Sequence, residues 1–188
     1  MRLFVAINLS QADQRKIADA TEGLRAASYP LRWLDPDTYH LTLKFLGNVD
    51  PLRVTEISER LDRIGAGNGS FTLECKGFGA FPTIRKPRIL WLGVDPSPAL
   101  RCLKQDLEWS LGELGFERET RAFHPHVTLA RGTEEGAGAF RGLDEHVARL
   151  RHKQRTTVRT IELMQSHLGR DGARYAVVHQ SALAPRTT

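Results

Sequence analysis

Two short stretches of this sequence carry the same chemistry: His40-Leu41-Thr42, followed by Leu43, and His126-Val127-Thr128, followed by Leu129. Successive side chains of a strand point to opposite faces, so each stretch, if extended, sets an imidazole beside a hydroxyl and turns its aliphatic residues to the core. Two such strands facing one another would surround a small anion with two imidazoles and two hydroxyls. That set suits phosphoryl hydrolysis without a metal. Histidine titrates near neutrality, so one ring can accept a proton from water while the other donates one to the leaving oxygen. The hydroxyls of Thr42 and Thr128 can donate to the non-bridging oxygens, where the transition state gathers charge. Arg131 is either a further charge-assisted contact to that phosphate or a surface charge at a strand end.

A single His-x-Thr in a strand is a weak signal, and threonine is common in strands for its β-propensity alone. Two of them in matching halves of one chain weigh far more. His124 shares a face with His126 if the strand is regular and raises the question of a metal site. No acidic residue lies within either motif, and Pro125 disturbs the alternation, so His124 reads as a neighbour of the site and no metal is expected. His146, His152, His167 and His179 read as surface or structural residues.

The elements that must position these residues follow from hydrophobic pattern and breakers. Residues 2 to 9 read as a buried strand, and Ser10 caps an amphipathic helix that Tyr29 and Pro30 end. A short LRW strand, the turn DPDT and a strand through HLTLKFLG follow, and Asp50-Pro51 opens a helix to about Ile64 on Leu52, Ile57, Leu61 and Ile64. After GAGNGS, the stretches FTLECKGFGAF and PRILWLGV form an antiparallel pair, then a helix runs from about Pro98 to Leu114 with Gly115 at its end. RAFHPHVTLAR reads as one strand. The loop GTEEGAGA and a helical segment at 143 to 150 come next, and two closing strands, TTVRTIELMQS and ARYAVVHQSAL, flank the turn GRDG. Each half thus holds a helix and a His-x-Thr strand, which implies two similar lobes facing across a cleft.

The chain has 188 residues, 40% hydrophobic and 26% charged, ordinary values for a folded globular protein. No apolar run approaches the roughly 20 residues that span a bilayer, and Leu3 to Leu9 is too short for a signal-peptide core, so a cytoplasmic protein without membrane attachment is expected. Cys75 and Cys102 fit neither a disulfide framework nor a zinc site. The net charge of +5 favours acidic partners. The cations are 21 Arg against 6 Lys, a bias that a GC-rich genome would also produce. The basic run from Arg149 to Arg159 reads as a solvated face more than an RNA track.

On these residues the sequence resembles the two-histidine (2H) phosphoesterases, and within them the bacterial and archaeal RNA 2′,3′-cyclic phosphodiesterases, also called 2′-5′ RNA ligase-like proteins. The resemblance spans nearly the whole chain: RLFVAI, RWLDPDTYHLTLKFLG, FGAFP, RILWLGV, HPHVTLAR and DGARYAVV. It implies that His40 is the proton donor to the departing 3′ oxygen and His126 the proton acceptor that activates water. Thr42, Thr128 and Arg131 then match the family's phosphate-binding positions, while His124 stands where arginine or serine is frequent. The implied fold is α+β: a single bilobal domain over residues 1–188, pseudo-symmetric, with antiparallel sheets lining a central cleft and helices packed outside. The implied reaction leaves a 2′-phosphomonoester, needs no cofactor, and comes in some members with a minor 2′-5′ RNA ligase activity.

The expected partner is RNA with a cyclic phosphate end or a related nucleotide, bound by a monomer. Among Phe4, Trp33, Phe78 and Trp91 one can stack a base, and core packing suits at least three. The competing readings are a 2H enzyme acting on another cyclic or 2′-5′-linked nucleotide, and a noncatalytic module that only holds an RNA terminus.

Overall fold

The computed structural model describes residues 1–133, 138–169 and 172–185. Nine strands alternate with five helices: β1 (Arg2–Asn8), α1 (Gln11–Ala20), α2 (Glu22–Ala26), β2 (Leu31–Trp33), β3 (His40–Asn48), α3 (Val54–Gly67), β4 (Phe71–Thr83), β5 (Lys86–Val94), α4 (Pro98–Glu113), β6 (His126–Gly132), α5 (Leu143–Arg149), β7 (Lys153–Val158), β8 (Thr160–Gly169) and β9 (Gly172–Ala182). The strands lie in the order β7-β4-β5-β6-β3-β1-β8-β9, with β2 also laid on β6, and every named strand pairing is antiparallel. The result is the expected α+β bilobal arrangement. One lobe holds β3, β1, β8 and β9, the other β6, β5, β4 and β7, and the two His-x-Thr strands are the innermost of each.

Local chemistry explains the helices. Ser10 accepts a hydrogen bond from the Asp13 amide at the start of α1, and the Thr21 hydroxyl donates to the carbonyls of Ile17 and Ala18, which divides the predicted first helix into α1 and α2. α3 buries Ile57, Leu61 and Ile64, and α4 buries Leu100, Leu103, Leu107 and Leu111, at the spacings that put one helix face on the core. Leu52 departs from the expectation: it lies in a 3₁₀ turn ahead of α3 and is 88% exposed. Gly115, at φ +87°, takes the left-handed turn after α4 that favours glycine. These helices share one core with Leu3, Val5 and Ile7 of β1, Leu41 and Leu43 of β3, and Val127 and Leu129 of β6.

Two strands differ from the sequence reading. RAFHPHVTLAR yields only β6 from His126, because Pro125 has no amide to donate and Arg121 to Pro125 stay outside the ladder. TTVRTIELMQS is two strands: β7 pairs with β4 at one flank of the sheet and β8 with β1 on the other side. Val158 and Ile161 are both buried, a spacing of three that breaks period two at Arg159. Since Val158 and Thr160 are two residues apart, the flanks of the sheet come within about 7 Å at that end. The Ser70 amide, which donates to the Ala184 carbonyl, ties them there again. Residues 170–171 of the GRDG turn and 134–137 of GTEEGAGA lie outside the described residues. Cys75 is buried, with its thiol pushed up to about 12 mainly by that burial, and Cys102 is exposed.

Candidate active site

The lobes meet where β3 pairs with β6 at Leu41 and Val127. In the register set by this antiparallel pair His40 lies opposite Thr128, and Thr42 lies opposite His126. Leu41 and Val127 are both fully buried, which fixes the opposite face as the one carrying the two imidazoles and two hydroxyls. The expected set is therefore assembled by a local two-fold relation passing between Leu41 and Val127.

That relation extends beyond the triplets. Both strands run through the same sequence of half-buried, buried, half-buried, buried, buried and exposed residues. The repetition of two buried residues is a β-bulge: Ala6 and Val5 of β1 face Thr42 and Lys44, skipping Leu43, and Trp91 and Leu90 of β5 face Thr128 and Ala130, skipping Leu129. Strict alternation from Thr128 would turn Arg131 toward the core. The extra residue returns it to the histidine face, and by the same step returns Phe45. Beside the first bulge, the buried Lys44 ammonium donates to a Glu108 carboxylate oxygen and to the Glu117 carbonyl, anchoring β3 to α4 and the segment after it. Burial works to raise the Glu108 carboxyl, but hydrogen bonds from Lys104, Lys44 and the Glu119 amide hold it below the usual carboxylate range.

Each imidazole is held the same way. Nδ1 of His40 is 2.7 Å from the Thr38 carbonyl, and Nδ1 of His126 is 2.7 Å from the His124 carbonyl, in both cases two residues back. A carbonyl only accepts, so Nδ1 carries the hydrogen and Nε2 remains for chemistry. Aromatic rings flank both: Phe4 and Tyr175 with centroids 5.1 Å from His40, Phe81 at 5.1 Å and Trp91 at 6.4 Å from His126. Burial among them pushes both imidazoles below the ordinary histidine value, against the opposing effect of the carbonyl hydrogen bonds. The His126 ring lowers His40 further, and the His124 ring lowers His126. A proton on His126 therefore disfavours a second one on His40.

A cleft of about 660 Å³ opens on this face, lined among others by His40, Thr42, Phe45, Thr128, Arg131 and Tyr175, with His126 outside that lining.

The model of the family described as LigT like Phosphoesterase matches the chain twice, over residues 7–91 and 92–175, one match to each His-x-Thr motif. This chain belongs to that family. An RNA 2′,3′-cyclic phosphodiesterase of Thermotoga maritima is 37% identical over 131 residues, 70% of each protein. One of Aeropyrum pernix is 34% identical over 171 residues, 88% of this chain and 93% of the relative. Among solved structures, E. coli LigT complexed with 3′-AMP covers 97% of both chains at 27% identity with a TM-score of 0.76. A Thermus thermophilus protein, at 22% identity and a TM-score of 0.84, shares the fold over the full length of both chains.

Within this LigT-like frame the remaining expectations sort by geometry. His124 is exposed and serves through its carbonyl, which orients His126; among the described residues no group of three His, Cys, Asp or Glu side chains could hold a metal. Phe4 is buried beneath His40, Trp33 takes the Arg25 guanidinium over its ring at 4.5 Å, and Phe78 packs on the core. Trp91 lies flat against Gly79, where a Cβ would come within 2.4 Å of the indole, and so is wedged beside His126. The sequence reading passed over Phe45, Phe81 and Tyr175. Phe45 was legible in principle, since it stands three residues after Thr42 as Arg131 stands after Thr128. The other two reach the histidines only through pairing of distant strands.

Proposed function

We propose that this protein hydrolyses RNA 2′,3′-cyclic phosphodiester ends to 2′-phosphomonoesters by general acid/base catalysis, with His126 as proton acceptor and His40 as proton donor. Water attacks phosphorus as His126 Nε2 takes its proton; the bond from phosphorus to O3′ breaks as His40 Nε2 protonates O3′. The products are a 2′-phosphate and a 3′-hydroxyl, and one proton passing between the imidazoles restores the starting state. Thr42 and Thr128 donate to the non-bridging oxygens, and Arg131 balances the charge that gathers there. The route uses only side chains and water, so neither a metal nor another cofactor enters it.

The observation that carries this reading is the matched state of the two imidazoles, each locked at Nδ1 by a carbonyl and each with a threonine opposite. The relatives' names agree in substrate, and the adenosine monophosphate in the LigT structure agrees in size and charge. With the 5′-hydroxyl of a second RNA in place of water, the same step would form a 2′-5′ linkage as the bond from phosphorus to O3′ breaks and O3′ takes the proton of His40, the route by which a minor ligase activity would arise. The protein acts on its RNA as a monomer. The test is incubation of the purified protein, in EDTA, with a short RNA ending in a 2′,3′-cyclic phosphate. A 2′-phosphomonoester is expected; a 3′-phosphate, or strict dependence on added metal, overturns the reading.

A further inference from the structure

Several arginines have an anionic, carbonyl or aromatic partner, Arg25, Arg53, Arg60 and Arg118 among them. Arg32 and Arg131 are set apart by their placement. Arg32 of β2 is paired directly across the antiparallel ladder from Arg131 of β6, so both side chains stand on one face. Both line the cleft, both are exposed, and neither side chain has an ion pair or hydrogen bond among the described residues. Like charges directly opposite in a ladder destabilise it. An anion bridging or running along the pair would remove that cost.

The position of the pair narrows what the anion is. Arg131 is returned by the bulge to the face of Thr128, beside the proposed place of the reacting phosphate; Arg32 is about 5 Å from it on β2, which pairs with the same edge of β6 as β3 does. A cyclic mononucleotide has one phosphate, which the proposed reaction assigns to Arg131 and the two threonines. We infer that Arg32 is a specificity residue that holds the internucleotide phosphate 5′ to the cyclic end, so that oligonucleotides are preferred over cyclic mononucleotides. The inference rests on the proposed hydrolysis of cyclic phosphate ends. Asp35 lines the same cleft but is engaged by the Asp37 amide. Arg2 also lines it, from β1, with two strand spacings between β1 and β6. Arg32 is thus the nearer of the two to Arg131, and the RNA is inferred to leave the site past β2.

The test measures kcat/KM of the wild-type protein, Arg32→Ala, Arg32→Lys and Arg2→Ala on 2′,3′-cyclic AMP and on a trinucleotide ending in a 2′,3′-cyclic phosphate. In Arg32→Ala the preference for the trinucleotide is expected to fall about tenfold, with a salt dependence shallower by about one phosphate contact. Arg32→Lys should recover part of the preference, since lysine keeps the charge without the planar fork. Arg32 is exposed and carries an unfavourable like-charge neighbour, so the variant should melt no lower than wild type. An equal loss on both substrates would mean that Arg32 holds the reacting phosphate and would overturn the inference alone. So would a preference that depends on Arg2 and not on Arg32. Failure of the wild-type protein to turn over either substrate would overturn the proposed function and this inference with it.

Discussion

Leu41 and Val127 are paired at the junction of the two lobes, each fully buried, and each lies between the histidine and threonine of its own motif. Whatever moves one aliphatic side chain moves an imidazole and a hydroxyl on the other face of the strand. The catalytic set proposed here is thus built on the core contact that joins the lobes.

The first prediction follows from that contact. Leu41→Ala removes buried methyl groups from a packed interior and should cost about 2–5 kcal/mol of stability. Because the cavity lies directly behind the histidines, turnover by the folded variant should also fall, through misplacement of His40 relative to Thr128. Denaturant unfolding and kcat at a temperature well below the melting point would separate the effects. Unchanged kcat with reduced stability would mean that the junction supports the fold but not the site geometry.

The histidines themselves should behave differently. His40→Ala and His126→Ala are each expected to lower turnover about 100-fold or more, since each removes one proton transfer. Neither ring is part of the main core, so both variants should stay folded. The double variant should be little worse than either single one, because acid and base act as a unit. Full activity in either purified single variant would reject its assignment, and an RNA-binding module would lose affinity with no turnover to lose.

The pH dependence has a definite sign. Both imidazoles lie below the ordinary histidine value, chiefly because burial disfavours their charged forms. As pH falls below about 6.5 the unfolded chain takes up these protons first, so the stability the neutral rings contribute is present above that value and lost as pH falls toward the folded values. Inorganic phosphate, which favours the imidazolium form, should offset the loss in a thermal melt at about pH 5.5. The same shifts move the kcat/KM profile: both limbs should lie to the acid side of an ordinary histidine, with apparent values belonging to the coupled pair. A kcat/KM optimum at about pH 7.5 or above would contradict the burial argument.

The motifs were legible because alternation in a strand is a local property: Leu41, Leu43, Val127 and Leu129 point inward as period two requires. The fold class was legible through the order of helices and strands and the resemblance that accompanied it. What period two could not give was its own interruption. The bulges at Leu43 and Leu129 depend on pairing with β1 and β5, and they bring Phe45 and Arg131 onto the histidine face. The crossing at Arg159 is likewise set by partners, β4 on one side and β1 on the other, that no local pattern in TTVRTIEL names. Tyr175 reaches His40, and Phe81 reaches His126, from strands remote in sequence.

Phe45 and Arg131 occupy equivalent places on the two halves, and their difference in type breaks the two-fold symmetry of an otherwise matched site. Phe45 is 71% exposed yet lines the cleft, with Phe4 at 6.0 Å behind it, so its ring is available to the base of the terminal nucleotide. Stacking on an aromatic ring contributes about 1–3 kcal/mol, and Phe45→Ala is therefore expected to raise KM about tenfold with a smaller effect on kcat. Arg131→Ala should act mainly on kcat, because charge on the phosphate grows toward the transition state, and Arg131→Lys should recover only part of the loss. Exchanging the two types, in a Phe45→Arg and Arg131→Phe double variant, tests whether they orient the substrate. If they do, the base is drawn to the opposite end of the cleft, His40 and His126 exchange roles, and a fraction of the product appears as the 3′-phosphate. Product analysis that finds only the 2′-phosphate from a still active double variant would show that orientation is set elsewhere in the cleft.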